Sequence, residues 1–243
     1  MSSDPDFADQ PAPEGPQSFA AESALRLSGM PDWRYLLDET YEIYRYSSSG
    51  GSEKIRAHMR KVRETISRLV QQNPIVHRRT PSQVPVSHHL NRTLDAGRAT
   101  QLAPLVRCIE HVRDQLQWQY GYDRLPRGLA ERYGFAELAG PKGPVESPDV
   151  ILGLVLFAPG CVYPAHAQRG VTESYICLAG AVSENHQGVY APGSFIFNPP
   201  EHLHRITVAR DEPALLLYAW VGDREDLAGQ KMVLGKSRRA GVR

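Results

Sequence analysis

Residues 160–180 have the sequence GCVYPAHAQRGVTESYICLAG, and this stretch predicts both the fold and the site of the 243-residue chain. It has the pattern of two short strands joined by a turn. Because side chains alternate between the two faces of a strand, His166 and Gln168 should share a face. Glu173 and Tyr175 should do so on the next strand. If the two strands pair as a hairpin, the four side chains converge, which favours a metal site. A barrel wall that carries polar side chains without a metal is the alternative.

The remainder of residues 149–243 continues the strand pattern. Short apolar or alternating runs recur between Gly and Pro residues: VILGLVLFAPG, ESYICLAG, GSFIFNPP, HRITVA and ALLLYAWVG. Five or more short strands at this spacing predict an antiparallel barrel or sandwich. Two further histidines, His202 and His204, lie two residues apart and should share a face. We expect His204 to point inward and His202 to be an outer or loop residue beyond the strand; a role for His202 in place of His204 is the alternative.

Residues 19–148 have a helical pattern instead. Apolar side chains recur at three- and four-residue spacing in residues 32–46, 53–72 and 101–122. The segment ELAGPKGPVESPD, residues 137–149, is rich in Pro and Gly and is the best boundary candidate. We predict a helical region over 19–148 and a barrel domain over 149–243. The helices are predicted to form core; covering the barrel mouth and forming the interface of a homodimer are the alternatives.

Composition excludes several classes of protein. The chain is 41% hydrophobic and 23% charged, with a net charge of +1, so no overall field attracts nucleic acid or membrane. Three cysteines do not indicate a disulfide framework. Residues 1–18 are acidic, rich in Pro and Ser, and lack the apolar core of a secretion signal, which predicts a disordered tail. We therefore expect a cytoplasmic protein without nucleic-acid or membrane partners.

The spacing within residues 160–180 resembles the first motif of the cupin superfamily. The matching positions are Gly160, His166, Gln168, Glu173 and Gly180. A second motif follows, with matching positions Pro192, Gly193, Pro200 and His204. The resemblance implies a double-stranded, jelly-roll-like antiparallel barrel that holds one divalent metal ion. Gln168 stands where the superfamily usually has a second histidine.

A narrower resemblance covers about residues 30–225. The chain looks like the bacterial cupin-type dimethylsulfoniopropionate (DMSP) lyases, which place a helical segment before the barrel. Tyr175, two residues after the Glu, and Tyr163, three residues before the first His, match that family. The resemblance implies a carbon–sulfur lyase that acts on a small carboxylate by β-elimination and releases dimethyl sulfide and acrylate. Tyr175 is then the candidate base, and Tyr163 the candidate for orienting substrate.

The resemblance also implies the ligand set. His166, Glu173 and His204 are the matched ligands, and imidazole and carboxylate donors suit Zn, Fe, Mn, Co or Ni. Gln168 has three alternatives: a ligand through its amide oxygen, a hydrogen-bond partner of a ligand, or pocket lining. Cys177 should share the inward face of Tyr175 and is expected to be packing rather than a thiolate ligand.

The substrate cation adds one further expectation. A sulfonium group prefers aromatic faces, and Trp220, Tyr218 and Phe197 are candidates for that wall. Three other functions remain open, since cupins host many chemistries. One is a different metal-dependent enzyme, such as a dioxygenase or isomerase, acting on a small carboxylate. Another is a cupin that binds a small molecule without catalysis, as a sensor or degenerate paralogue. The last is a structural role for the helical region, with the barrel as a dimer scaffold.

Overall fold

The computed structural model describes residues 25–46, 52–122, 125, 128–229 and 233–234. The predicted tail, residues 1–18, lies outside the described residues. Within them, no helix is both long and apolar enough to span a membrane.

The described residues form five α-helices: α1 (Pro31–Tyr46), α2 (Glu53–Gln72), α3 (Leu90–Arg98), α4 (Ala103–Val112) and α5 (Arg224–Ala228). Short 3-10 turns occupy Leu27–Gly29, Pro85–His89 and Arg113–Gln115. The first two predicted helical stripes correspond to α1 and α2. The third was predicted to run to residue 122, but α4 ends at Val112. Beyond it the backbone of Gln119 exchanges two hydrogen bonds with Phe135, so this part of the chain is extended.

The described residues also form eleven strands. They are β1 (Tyr133–Gly140), β2 (Val145–Glu146), β3 (Ile151–Phe157), β4 (Val162–Ala167), β5 (Val171–Ala179), β6 (Val182–Glu184), β7 (Gln187–Tyr190), β8 (Phe195–Asn198), β9 (His204–Val208), β10 (Ala214–Gly222) and β11 (Val233–Leu234). They form a six-stranded sheet, ordered β2-β1-β3-β10-β5-β8, and a five-stranded sheet, ordered β11-β4-β9-β6-β7. The prediction of a helical region followed by antiparallel strands is confirmed. The hydrogen bonds define two sheets rather than one closed ladder.

The chain is arranged in three layers, and the central six-stranded sheet has two buried faces. All seven residues of β3 are buried, as its continuous apolar sequence ILGLVLF suggests. Alternate residues divide between two cores. Leu152, Leu154 and Leu156 pack with the helices, and Ile151, Val155 and Phe157 pack toward the five-stranded sheet. The inner core between the two sheets holds the candidate site.

The strands begin earlier than the sequence indicated. β1 and β2 both precede residue 149, within the stretch predicted as helical, and β1 pairs with β3 along most of its length. The Pro- and Gly-rich residues 140–148 form the connection around β2 rather than a link between two structural regions. Turns between strands and linkers between structural regions are both rich in Pro and Gly. The composition of residues 140–148 therefore could not distinguish a turn from a linker.

Candidate metal centre and its cavity

Three buried ligand-type side chains converge between the two sheets. His166 on β4, Glu173 on β5 and His204 on β9 place their ligand atoms within 4.8 Å of one another. His166 and His204 are directly opposite on paired strands, with ring centroids 4.1 Å apart. Glu173 comes from the facing sheet. β4 and β5 therefore do not pair as a hairpin, and their side chains meet because the turn between them crosses from one sheet to the other.

Both histidine rings are oriented by their own backbone neighbourhood. The Nδ1 atoms lie at hydrogen-bond distance from carbonyl oxygens: His166 Nδ1 is 3.1 Å from Pro164 O, and His204 Nδ1 is 3.0 Å from His202 O. A proton on Nδ1 leaves the Nε2 lone pair facing the cluster. Both Nε2 atoms are buried; that of His166 has no hydrogen-bond partner among the described residues, and that of His204 faces the carboxylate of Glu173. This is the orientation that metal-ligating imidazoles adopt.

The carboxylate of Glu173 is the centre of the cluster. Its Oε1 accepts hydrogen bonds from Trp220 Nε1 at 2.7 Å and from Gln168 Nε2 at 3.2 Å. Its Oε2 accepts one from Asn198 Nδ2 at 3.2 Å and lies 3.1 Å from His204 Nε2. Burial raises the pKa of Glu173, but the neighbouring imidazoles and the hydrogen bonds lower it by more. The group is therefore held as a carboxylate.

The electrostatics of the two histidines differ. Burial, together with the nearby His204, lowers the pKa of His166 to about 4, which favours its neutral form. Burial also lowers the pKa of His204, but Glu173 raises it by more, so that its pKa lies above the ordinary value. A fully buried carboxylate with two imidazoles is a donor set that suits a divalent transition metal.

Gln168 lies beside the cluster and is 5% exposed. Its amide nitrogen donates to Glu173, so in this structure it is a hydrogen-bond partner of a candidate ligand. A role as a ligand through its amide oxygen stays a prediction. Cys177 is fully buried, and its thiol donates to the carbonyls of Ala179 and Gly180, away from the cluster. Burial raises the pKa of this thiol to about 12, which fits packing rather than ligation.

The two predicted tyrosines both border the site. Tyr175 lies two residues beyond Glu173 on the same face of β5, close enough for the carboxylate to affect its pKa, and its ring lies 6.2 Å from that of His204. Burial and the carboxylate raise the pKa of Tyr175 well above 10. Tyr163 packs edge-on against His166, with ring centroids 4.7 Å apart. Its hydroxyl accepts a 2.7 Å hydrogen bond from Tyr122.

A cavity of about 270 Å³ opens beside these tyrosines. Both Tyr163 and Tyr175 line it, as do the predicted aromatic residues Tyr218 and Trp220. Phe197, the third aromatic residue proposed for that wall, is elsewhere. It lies on the opposite face of its sheet, where its ring packs 5.4 Å from that of His58. Phe197 lies on β8, a short strand at the edge of the six-stranded sheet, and is only partly buried. The sequence pattern therefore did not indicate which face of this sheet the helices would cover.

Sequence reasoning missed several residues of the site. The cavity wall includes Tyr120, Tyr122, Tyr133 and Glu137, which come from β1 and the segment before it. The alternation of YGFAELAG over 133–140 was the available signal, because Tyr133, Phe135 and Glu137 fall on one face. Asn198 was also missed. Its amide bridges Glu173 and a second buried carboxylate, Glu184, by hydrogen bonds of 3.2 and 2.9 Å.

The fold and the buried cluster define a protein of helices packed on two β-sheets, with a candidate metal centre between the sheets. The comparisons with known proteins make the assignment more specific. The profile of the dimethylsulfoniopropionate lyase family matches residues 57–216. The chain is also 44% identical over 218 residues to a protein of Cereibacter sphaeroides whose name describes it as a candidate dimethylsulfoniopropionate lyase, DddL. That match covers 90% of this chain and 94% of the relative. The chain belongs to the DMSP lyase family.

Two solved structures share the fold. A structure from a study of the DMSP lyases RdDddP and RnDddQII superposes with a TM-score of 0.65 at 20% identity, covering 86% of this chain and all of that one. The structure of the DMSP lyase DddQ from Ruegeria pomeroyi DSS-3 gives a TM-score of 0.62 at 21% identity, covering 84% of this chain and 96% of the other. At these identities the likeness concerns the fold.

Proposed function

We propose that the protein is a metal-dependent DMSP lyase, which cleaves DMSP into dimethyl sulfide, acrylate and a proton. The observation that carries the proposal is the buried convergence of His166, Glu173 and His204 at the wall of a cavity lined by Tyr175, in a member of the DMSP lyase family. On this reading the two sheets correspond to the walls of the cupin barrel.

The metal would be held by His166 and His204 through Nε2 and by Glu173 through a carboxylate oxygen. The buried, unpartnered Nε2 atom of His166 and the buried Nε2 atom of His204, which faces the Glu173 carboxylate, support this assignment. A divalent ion in this position would supply positive charge that offsets the substrate carboxylate, acidifies the proton on the adjacent carbon and lowers the pKa of Tyr175. Gln168, Trp220 and Asn198 orient Glu173 by their hydrogen bonds.

The protein side chains remove the proton and position the substrate. Tyr175 in its ionised form takes the proton from the carbon next to the substrate carboxylate. The electron pair of that C–H bond forms the C=C bond of acrylate, and the pair of the C–S bond leaves with sulfur as neutral dimethyl sulfide. Tyr163, held by Tyr122 and packed on His166, fixes the position of the substrate beside Tyr175. The largely aromatic wall of the cavity limits water around the reacting atoms.

Release of dimethyl sulfide is the direct test. The protein would be stripped of metal, reloaded separately with Zn, Mn, Fe(II), Co and Ni, and mixed with DMSP, with gas chromatography of the headspace and metal content measured on each sample. We expect release only from metal-loaded samples. Bound metal without release would overturn the lyase and favour another reaction on a small carboxylate. Failure to bind any of these ions would overturn the metal centre.

A further inference from the structure

The cavity contains a carboxylate that the elimination does not use. Glu137 on β1 is partly buried and lines the cavity together with Tyr218 and Lys142. It lies outside the His166, Glu173 and His204 cluster. A carboxyl group in a largely aromatic cavity carries a desolvation cost, so its presence there needs an explanation.

Glu137 belongs to one cross-strand row of the six-stranded sheet. It is directly opposite Gly153 on β3, Gly153 is opposite Tyr218 on β10, and Tyr218 is opposite Tyr175 on β5. Residues directly opposite one another on neighbouring strands point to the same face. The row therefore runs across the cavity wall from the candidate base at one end to a carboxylate at the other.

Gly153 allows the aromatic ring to approach that carboxylate. A Cβ at this position would overlap Cζ and the hydroxyl oxygen of Tyr218, so the tip of the ring lies over Gly153. Gly153 is one strand spacing, about 4.8 Å, from Glu137. The ring tip thus lies over the strand next to that of Glu137, and the negative charge of Glu137 contributes to raising the pKa of Tyr218.

The carboxylate is fixed in place by the turn after β1. Its Oε1 accepts a 3.0 Å hydrogen bond from the backbone N–H of Lys142. A Cβ at Gly140 would overlap Oε1, so this glycine leaves room for the group. A preorganised anion beside an aromatic ring is the arrangement that recognises an onium cation, which attracts both a negative charge and a π face.

The dimensions fit the proposed substrate. DMSP separates its carboxyl carbon from sulfur by roughly 4 Å in the extended form. That length is less than one strand spacing of about 4.8 Å. With the carboxylate at the cluster and the proton-bearing carbon beside Tyr175, the sulfonium group therefore falls over the neighbouring Tyr218, and the negative charge of Glu137, farther along the row, attracts it through space. We propose that Glu137, with the Tyr218 ring held over Gly153, forms a cation subsite that selects substrates with a positively charged head group. Its assignment to the sulfonium group rests on the proposed function, while its preference for a cation does not.

Two non-reacting probes test the subsite without turnover. They are 3-(trimethylammonio)propanoate and 4,4-dimethylpentanoate, which have the same shape and carboxylate and differ only in the charge of the quaternary centre. Binding to the metal-loaded protein would be measured by calorimetry. We expect wild-type protein to bind the cationic probe about tenfold more tightly. Glu137→Gln should bind the two probes alike, because it retains an oxygen for the Lys142 N–H and loses only the charge.

The matched control is Glu131→Gln, which removes the same charge from an exposed position just before β1 and should keep the preference. Gly153→Ala should reduce the preference by displacing the Tyr218 ring. If the wild-type protein binds the two probes with equal affinity, or binds neither probe, the subsite is overturned. These results do not depend on whether Glu137→Gln folds. A preference retained in folded Glu137→Gln reduces Glu137 to a support of the turn.

The assay for dimethyl sulfide separates this proposal from the previous one. A cation preference without release from DMSP would leave the subsite standing and remove the lyase. Release of dimethyl sulfide from DMSP without a cation preference would support the lyase and remove the subsite.

Discussion

The indole Nε1 of Trp220 donates a 2.7 Å hydrogen bond to Oε1 of Glu173, from the directly opposite position on the neighbouring central strand. Both side chains are buried, so the bond is between a donor and a charged acceptor away from water. The sheet register therefore fixes the orientation of the carboxylate. The hydrogen bond links the geometry of the candidate metal centre to the pairing of β5 and β10.

Trp220→Phe tests this link by removing the N–H while keeping most of the ring. Because hydrogen bonds from a neighbouring residue orient a ligand, we expect metal affinity to fall about ten- to a hundredfold. Competition with a chelator measures the change. Trp33→Phe is the control, since it removes a comparable N–H bond to Gln115 in the helical layer. Unchanged affinity in a folded Trp220→Phe protein would show that other contacts hold Glu173.

His204→Asn should abolish metal binding, because it removes one of three candidate ligand atoms and leaves the buried carboxylate without its neighbouring imidazole. Metal content after dialysis, measured by mass spectrometry, gives the result. His202→Asn is the matched control: His202 is exposed and contributes its backbone carbonyl to His204. Full metal content in His204→Asn would remove this histidine from the ligand set.

Tyr175→Phe should retain metal and lose at least about a hundredfold in kcat, as expected for removal of a general base. The ring remains to fill its buried place on β5, so the fold should be kept. Tyr163→Phe is the comparison, for which we expect a raised KM rather than a lost kcat, since its proposed role is positioning. Turnover retained by Tyr175→Phe would exclude it as the base.

Ser174→Ala should destabilise the contact between the helices and the sheet. The Ser174 hydroxyl lies 2.7 Å from Tyr44 Oη and 2.8 Å from His58 Nε2, and all three side chains are buried. Losing these bonds leaves two buried polar groups with one partner fewer, at a cost of about 2 kcal/mol in the free energy of unfolding. Urea denaturation measures it, with Ser183→Ala on the five-stranded sheet as the control. A change below about 0.5 kcal/mol would contradict the assignment.

Binding of the cationic probe should increase with pH through about 7. Burial raises the pKa of Glu137 to about 7, against the lowering effect of the Lys142 and Gly143 amides and of the Lys142 and Arg79 charges. Tyr218 faces the same carboxylate from β10. Below that pH the carboxyl group is largely neutral and above it is charged, so the preference for the cationic over the neutral probe grows between pH 6 and 8. In Glu137→Gln the ratio should be independent of pH.

Local patterns predicted the elements that carry the candidate ligands. The periodicity of residues 32–46 and 53–72 gave α1 and α2, because an amphipathic stripe must face a core. The spacing around His166, Glu173 and His204, through its resemblance to the cupin motifs, predicted three inward side chains on three separate strands. These properties depend on residues a few positions apart, and local sequence determines them.

The pairing of the strands required the tertiary structure. β4 and β5 are neighbours in sequence but belong to opposite sheets, so the cluster forms across the inner core rather than within a hairpin. Strand pairing also decided the position of Phe197, which faces the helices and not the cavity. It likewise decided that residues 133–146 contain β1 and β2, which the Pro- and Gly-rich turn between them made difficult to predict.

The amino-acid sequence was enough to predict the helical and strand periods, the candidate ligands and the resemblance to DMSP lyases. The contacts of Trp220 with Glu173 and of Ser174 with Tyr44 and His58, and the row that Glu137 shares with Tyr218, became known only from the folded structure. The reason is physical: a side chain's face follows from its neighbours in the chain, whereas its partner follows from strand register and layer packing, which bring together residues far apart in sequence.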